Sequence, residues 1–191
     1  MLYSIVIITF LIQICVSNAS HSSTIIFRRK ESVSDPQNWV KIGKPPANQT
    51  ISLRISLPQP GFSTLERHIS EVSDPTHLRY GMYLSKEDVE SIVSPPLDSV
   101  NAVNLWLGDN GIKERDCHRS PAGDWVKITI PVAQAERLLN TTYYIWKHTV
   151  DGDVLVRTLE YSLPPTVYSH VTHIQPTMMF ARLRCQALTL F

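Results

Sequence analysis

Cysteine is scarce in this chain: Cys15, Cys117 and Cys185 are the only three in 191 residues. Three thiols are too few for a disulfide framework of the kind that staples small secreted domains. A surplus of one charge is missing as well, since 18 Lys and Arg stand against 17 Asp and Glu for a formal net charge of +1. That balance excludes a bulk electrostatic grip on nucleic acid and a polyacidic partner. Glycine is sparse, seven in all, and no glycine-rich stretch has the pattern that cradles phosphate. A Gly-x-Ser-x-Gly elbow and a His-Glu-x-x-His zinc helix are also lacking. The longest apolar run, within MLYSIVIITFLIQICV, is roughly fifteen residues, short of the ~20 that span a bilayer. With 43% hydrophobic and 18% charged residues, the chain has the composition of a folded protein and room for one ordinary domain with flanking segments.

What is present begins with that apolar run. It is followed by small and polar residues, and Ser17 and Ala19 stand at the minus-three and minus-one positions of a small-x-small cleavage site. The reading is a signal peptide over 1–19, cut after Ala19, a secreted product and no stable membrane anchor. Cleavage removes Cys15 and leaves Cys117 and Cys185 either bridged or as two free thiols. Secretion also gives meaning to two glycosylation sequons, Asn48-Gln49-Thr50 and Asn140-Thr141-Thr142.

Residues 20–50 carry Ser, Pro and charge around one aromatic anchor, Trp39, and end in GKPPANQ, so a loosely structured lead-in is expected. Strict alternation of Ile51, Leu53, Ile55 and Leu57 with polar residues predicts a half-buried strand. Ser63 with Glu66, and Ser85 with Asp88, predict capping boxes opening two helices. The first carries Leu65, Ile69 and Val72 inward, and the second Val89, Ile92 and Val93. A third helix carries Val100, Val103 and Leu107, with Gly108 as its C-cap. WVKITIP predicts a strand hairpinned through SPAGD to a short run at Cys117 to Arg119, and Pro131 opens a helix ending at Asn140. YYIWKHT, Asp151-Gly152 and VLVRTLEY read as strand, turn and strand. The order predicts an α+β fold, an antiparallel sheet with helices on one face, ferredoxin-like.

The stretches VSDPTHLRYGMYLSKEDVESI, VNLWLGDNGI, DWVKITIPVAQAERLLNTTYYIW and EYSLPPTVYSHVTHIQPT, in this order, resemble the activation pro-domain of the sedolisins. These are serine-carboxyl peptidases that include secreted fungal tripeptidyl-peptidases. The likeness runs from about Phe27 to Phe180, with the pro-domain proper expected over 51–175. The residues that carry it are Asp74, Pro75, His77, Tyr80, Gly81, Leu84, Trp106, Tyr161 and Pro164. One departure is Leu78, where family members often have proline after the histidine.

The resemblance implies an N-terminal domain of a secreted zymogen that assists folding of a catalytic domain, blocks its active site and is removed in acid. Its partner would be a sedolisin-type catalytic domain, in cis or in trans, and calcium is expected only in that domain, with no cofactor or metal in this chain. The family pattern continues into the catalytic domain, whereas here ARLRCQALTLF follows over 181–191. The expectation is therefore a chain truncated before its catalytic domain. The alternative is a stand-alone secreted pro-domain acting in trans as a peptidase inhibitor or binding module.

No catalytic residue is expected. The family nucleophile, a Ser in Gly-Thr-Ser-x-Ser, has no counterpart, and Glu31 with Asp35 has the right spacing in a segment unsuited to a helix. His170 and His173 read as strand or loop histidines rather than metal ligands, His77 and Tyr80 beside Gly81 as turn and packing groups, and Trp106, Trp125 and Trp146 as core. Tyr161 to Phe180 is the expected inhibitory segment. All seven His lie beyond the signal cleavage site and would gain charge between about pH 7 and pH 5, which suits release in acid.

Overall fold

The alternation at Ile51 to Leu57 sets the centre of the architecture. In the computed structural model, which describes residues 26–180, strand β3 (Thr50–Ser56) pairs along its length with β5 (Trp125–Pro131), Leu53 opposite Ile128 and Ile55 opposite Val126. Leu53, Ile55, Leu57, Val126 and Ile128 are fully buried and Ile51 partly so, while the residues between those of each strand face the other way. The predicted hairpin adds β4 (His118–Arg119) on the far side of β5, and β9 (His173–Gln175) closes the other edge against β3. The resulting order, β4-β5-β3-β9, is antiparallel throughout.

Three helices, α1 (Phe62–Ser73), α2 (Lys86–Val93) and α3 (Leu97–Asp109), lie between β3 and β4, and α4 (Val132–Leu139) follows β5. Strand, helix, strand, strand, helix, strand with this sheet order is the ferredoxin-like arrangement. The predicted α+β class with helices on one face therefore holds. Val103, Trp106 and Leu107 of α3, with Val132, Ala135, Leu138 and Leu139 of α4, pack against the inner face of the sheet in one cluster.

Between α4 and β9 the chain makes an excursion. Strand β6 (Tyr144–His148) turns through Asp151-Gly152 into β7 (Val154–Arg157), as the Asp-Gly pair predicted, and Gly152 takes the positive φ, 78°, of such turns. The expected single strand VLVRTLEY instead divides at Thr158, whose hydroxyl and amide are taken by Glu160 and Thr177, and continues as β8 (Glu160–Leu163). A short helix α5 (Pro165–Tyr168) then leads back to β9.

The lead-in is where the expectation fails most clearly. Residues 28–43 form two strands, β1 (Arg28–Ser32) paired with β8, and β2 (Trp39–Gly43) paired with β6. Their sequences lack a clean alternation because both are edge strands with mostly exposed side chains: β2 has one buried anchor, Trp39, and β1 has none, only Lys30 and Glu31 being partly buried. The structured unit thus begins well before residue 51. Two smaller departures concern helix ends. Helix α1 starts at Phe62 with Gly61 as N-cap and no side-chain cap, which places Ser63 inside the helix rather than at its mouth. A Cβ at Gly61 would run into the Ile92 carbonyl of α2, so the close approach of the two helices fixes the start. Helix α3 ends two residues later than expected, with Asn110 as C-cap and Gly111 at φ 77°; the Ile112 amide reaches the Leu107 carbonyl at 2.9 Å, a Schellman closure. The capping box at Ser85 and Asp88 is present as predicted.

No helix among the described residues is long and apolar enough to cross a membrane. The expected signal segment with Ala19, and the tail 181–191 with Cys185, lie outside the described residues.

Candidate functional site

Because β3 and β5 alternate so regularly, every second residue of the four-stranded sheet projects away from the helices. That open face carries Ser52, Arg54, Trp125, Lys127 and Thr129 on the two central strands, with His118, His173 and Gln175 on the edges. Register places His118 beside Lys127, Lys127 beside Arg54, and Arg54 beside Gln175 in one row across the sheet. No Asp or Glu occupies an outward position on these strands. In a chain of nearly balanced charge, this face is therefore locally basic.

At one end of the face the Arg54 guanidinium lies 5.0 Å over the Trp125 ring, and the His173 ring meets the same indole edge-on at 5.2 Å. Trp125 is only half-buried, so the expectation that it belongs to the core is corrected. The alternation of WVKITIP puts Trp125 in phase with Lys127 and Thr129, on the solvent side. Trp106 and Trp146 are core as expected, at 6% and 3% exposure.

His170 and His173 diverge. The His170 Nδ1 lies 3.0 Å from the Ser99 hydroxyl of α3 on the helix side, while His173 faces the open side with Trp125. Among the described residues no group of three or more His, Cys, Asp or Glu gathers in a way that could hold a metal ion. Glu31 sits on β1 opposite Tyr161 and Asp35 in the following loop, so the two do not share a helix face. The polar depression beside Asn140, about 570 Å³, is lined by threonines and one carboxylate, Glu160, which Arg29 holds at 2.9 Å.

The C-terminal part of the chain overturns another expectation. Tyr161, Leu163, Val167, Val171, Ile174 and Thr177 are all at most 2% exposed, and Pro164 is buried with them. The Tyr161 hydroxyl accepts the Ile174 amide at 3.1 Å, and burial, with the Glu31 carboxylate nearby, pushes its ionisation far above the ordinary tyrosine range. A segment built into the core in this way does not thread into an enzyme's cleft, so Tyr161 to Thr177 is scaffold. The last described residue, Phe180, packs edge-on against Trp146 at 5.2 Å and beside Trp39 at 5.8 Å, and Arg157 Nε donates to the Met179 carbonyl at 2.8 Å. Residue 180 is thereby fixed on the β2-β6-β7 sheet.

The stretch Asp74 to Leu84 joins α1 to α2. Asp74 and Thr76 form an Asx turn, His77 Nδ1 accepts the Arg79 amide at 3.2 Å, and Gly81, at φ 74°, donates back to the Val72 carbonyl at 3.0 Å. Pro75 follows the cap and Leu84 is half-buried. His77 is a turn group as expected; Tyr80 is 54% exposed and does not pack. Both sequon asparagines are exposed: Asn48 in the turn closed by the Gln49 amide on the Pro46 carbonyl, and Asn140 as the left-handed C-cap of α4 at φ 44°. Cys117 is half-buried, its thiol directed to the Lys113 carbonyl, and burial raises its pKa; its alternative partner, Cys185, is outside the described residues.

Taken together these features describe an α+β propeptide-type domain with an ordered core and an open sheet face. Comparison with known proteins agrees. Residues 37–180 match the family described as Pro-kumamolisin, activation domain, and the chain belongs to that family. It is 34% identical over 156 residues to tripeptidyl-peptidase SED4 of Arthroderma otae, covering 82% of this chain and 26% of that protein. It is 34% identical over 149 residues to a probable tripeptidyl-peptidase SED3 of Trichophyton verrucosum, covering 77% and 25%. With tripeptidyl-peptidase SED2 of Arthroderma otae the identity is 31% over 153 residues, covering 80% and 25%. The chain spans about a quarter of the length of these relatives.

Proposed function

We propose that this chain is the N-terminal activation pro-domain of a secreted serine-carboxyl peptidase of the tripeptidyl-peptidase type. It assists folding of the catalytic domain, holds that domain inactive and is removed in acid. The observation that carries this reading is the family match across 37–180 in a chain that aligns with only a quarter of each relative, the remainder being available for the catalytic domain. In this reading the open face of the four-stranded sheet docks on the catalytic domain, and the inhibitory segment follows Phe180 rather than preceding it. The catalytic domain, not this chain, holds the calcium and the nucleophile that the family resemblance implies. Asn48 and Asn140 are the glycan acceptors.

The same face is basic. His118 and His173 share it with Arg54 and Lys127, and no outward carboxylate is present on its strands.

The test is made in trans. The 191-residue chain is added to the separately produced catalytic domain of the Arthroderma otae relative, and refolding yield and peptidase activity are read at pH 7 and pH 4. Inhibition at micromolar concentration at pH 7 and its loss at pH 4 are expected. Tethering supplies an effective concentration of about millimolar order, so micromolar inhibition in trans is a strict criterion. Full peptidase activity at micromolar chain together with unassisted refolding would overturn the proposal.

A further inference from the structure

We propose that the depression beside Asn140 is a binding site for the first sugar of an N-linked glycan carried on Asn140 itself. This inference rests on the secretion and glycan attachment proposed above.

Asn140 is the exposed, left-handed C-cap of α4, and it is also one of the residues that line the depression. A sugar bonded to its side-chain nitrogen therefore starts at the rim of the hollow, with no linker to span. The attachment point is held in place. The Thr141 amide donates to the Glu136 carbonyl at 3.1 Å, closing the end of α4. The Thr141 hydroxyl donates to the Glu160 carbonyl at 2.5 Å and lies 2.6 Å from the Thr158 hydroxyl, which pins the middle of the sequon to the other side of the hollow. With rim and wall fixed relative to one another, tethering presents the sugar at an effective concentration of about millimolar order.

The lining suits a sugar better than other ligands. At about 570 Å³ the hollow falls in the ~300–1,000 Å³ range of small-ligand sites. Ser32, Thr141, Thr142 and Thr158 bring hydroxyl groups to it and Tyr144 an aromatic ring. The Ser32 and Thr142 hydroxyls are not engaged by any other described residue. Glu160 is the one carboxylate of the lining, and Arg29 holds it at 2.9 Å. An ionic ligand thus finds no unpaired charge of opposite sign there, and an apolar one would leave the hydroxyls without partners. N-acetylglucosamine is neutral, donates and accepts through its hydroxyls and acetamido group, and has an apolar ring face for Tyr144.

Asn48 is placed differently. Residues 46–50 are all exposed around the turn closed by the Gln49 amide, so a glycan there projects into water. At Asn140 the seated sugar bridges Ser32 at the end of β1, the connection from α4 to β6, and Glu160 of β8, and so stabilises the fold.

The experiment uses the full chain with Asn48→Gln, secreted from a yeast host so that only Asn140 carries a glycan, and trimmed by an endoglycosidase that leaves one N-acetylglucosamine. The same host grown with tunicamycin supplies the bare chain, and Asn140→Gln, with Asn48 glycosylated, is the control. Mass spectrometry reads occupancy, NMR reads contacts of the N-acetyl methyl with the Tyr144 ring, and thermal unfolding reads stability. Expected are occupancy of Asn140, Overhauser contacts to Tyr144, and an unfolding temperature above that of the bare chain by about 2–6 °C. Ser32→Ala should reduce that gain, and the Asn48 glycan should give none. Occupancy without contacts or stabilisation overturns the inference, as does a secreted chain with no sugar on Asn140. Equal stabilisation by the Asn48 glycan, without contacts at Tyr144, marks a general effect of attachment and overturns it too. Each of these results leaves the pro-domain reading standing, because that reading fails only in the inhibition and refolding assay.

Discussion

Replacing Tyr161 with Phe removes one oxygen atom and tests how the three sheets are joined. Tyr161 lies on β8, fully buried, and its hydroxyl accepts the amide of Ile174 on β9 at 3.1 Å. Ile174 faces Ile55 of β3 on its other side, so this one hydroxyl ties an edge of the four-stranded sheet to the β1-β8 pair. In the Phe variant the shape is retained and no cavity forms, but a buried amide is left without its acceptor. The cost of such an orphaned donor is about 1–3 kcal/mol. For a domain of this size each kcal/mol lowers the unfolding temperature by roughly 2–4 °C, giving a drop of about 2–12 °C. Urea unfolding followed by tryptophan fluorescence is the assay, with the Tyr161→Phe midpoint compared with that of Tyr168→Phe. The Tyr168 hydroxyl makes only an exposed bond to the Arg29 carbonyl at 3.3 Å, and its loss should cost under about 0.5 kcal/mol. Equal midpoints for the two variants would refute the claim that Tyr161 joins the sheets.

Four further outcomes are expected. Tyr143 and Tyr161 both have ionisation raised by burial, so their contribution is intact below the unfolded tyrosine pKa of about 10 and is lost as pH rises above it. The slope is about 2.7 kcal/mol per pH unit if both act, readable as a falling urea midpoint between pH 9 and pH 11.5. Gly61→Ala should destabilise by about 1–3 kcal/mol, because its Cβ collides with the Ile92 carbonyl; an unchanged melting temperature would contradict the tight α1-α2 approach. Asp74 and Asp88 have pKa values lowered by hydrogen bonds from Thr76 and Ser85 respectively. Their contribution is present above the ordinary aspartate pKa and lost as pH falls through the lowered values, so protection of the Thr76 and Ser85 amides, which these carboxylates accept, should fall below about pH 4 relative to unstructured amides before the sheet loosens. Arg54→Glu with Lys127→Glu should weaken binding to the catalytic domain without changing stability, since both side chains are exposed; unchanged affinity would remove the sheet face from the interface.

The central strands and α4 were legible in the sequence because period-two and helical patterns are strongest where one face is wholly buried. Leu53, Ile55, Val126 and Ile128, and the four buried positions of α4, are such places. Strands β1 and β2 were not legible, since an edge strand whose side chains mostly remain in water leaves no alternation to read. The misplaced start of α1 has a tertiary cause, the Ile92 carbonyl against Gly61, which no local pattern reports. Of the candidate site, the Asp74-to-Leu84 stretch stood out by its turn residues, but its role was misjudged for Tyr80 because exposure depends on what the loop faces. Trp125 was misassigned although its phase with Lys127 and Thr129 was already visible. Tyr161 to Phe180 read as an inhibitory segment, but its stretch to Thr177 is built into the core, because the strand that receives β9 is β3, more than a hundred residues earlier in the chain.

That last pairing has a consequence for how the protein is made. Synthesis runs from the amino end at about 5–20 residues per second, and β3 emerges early with β9 among the last described residues to follow. Until β9 arrives, one edge of β3 is unpaired, and His173 and Gln175 are missing from the open face. The surface is therefore finished only after residues 26–175 are out, so any chain made after that point meets a completed template rather than a half-built one. The same late closure leaves a sheet edge exposed to other nascent chains for the whole interval.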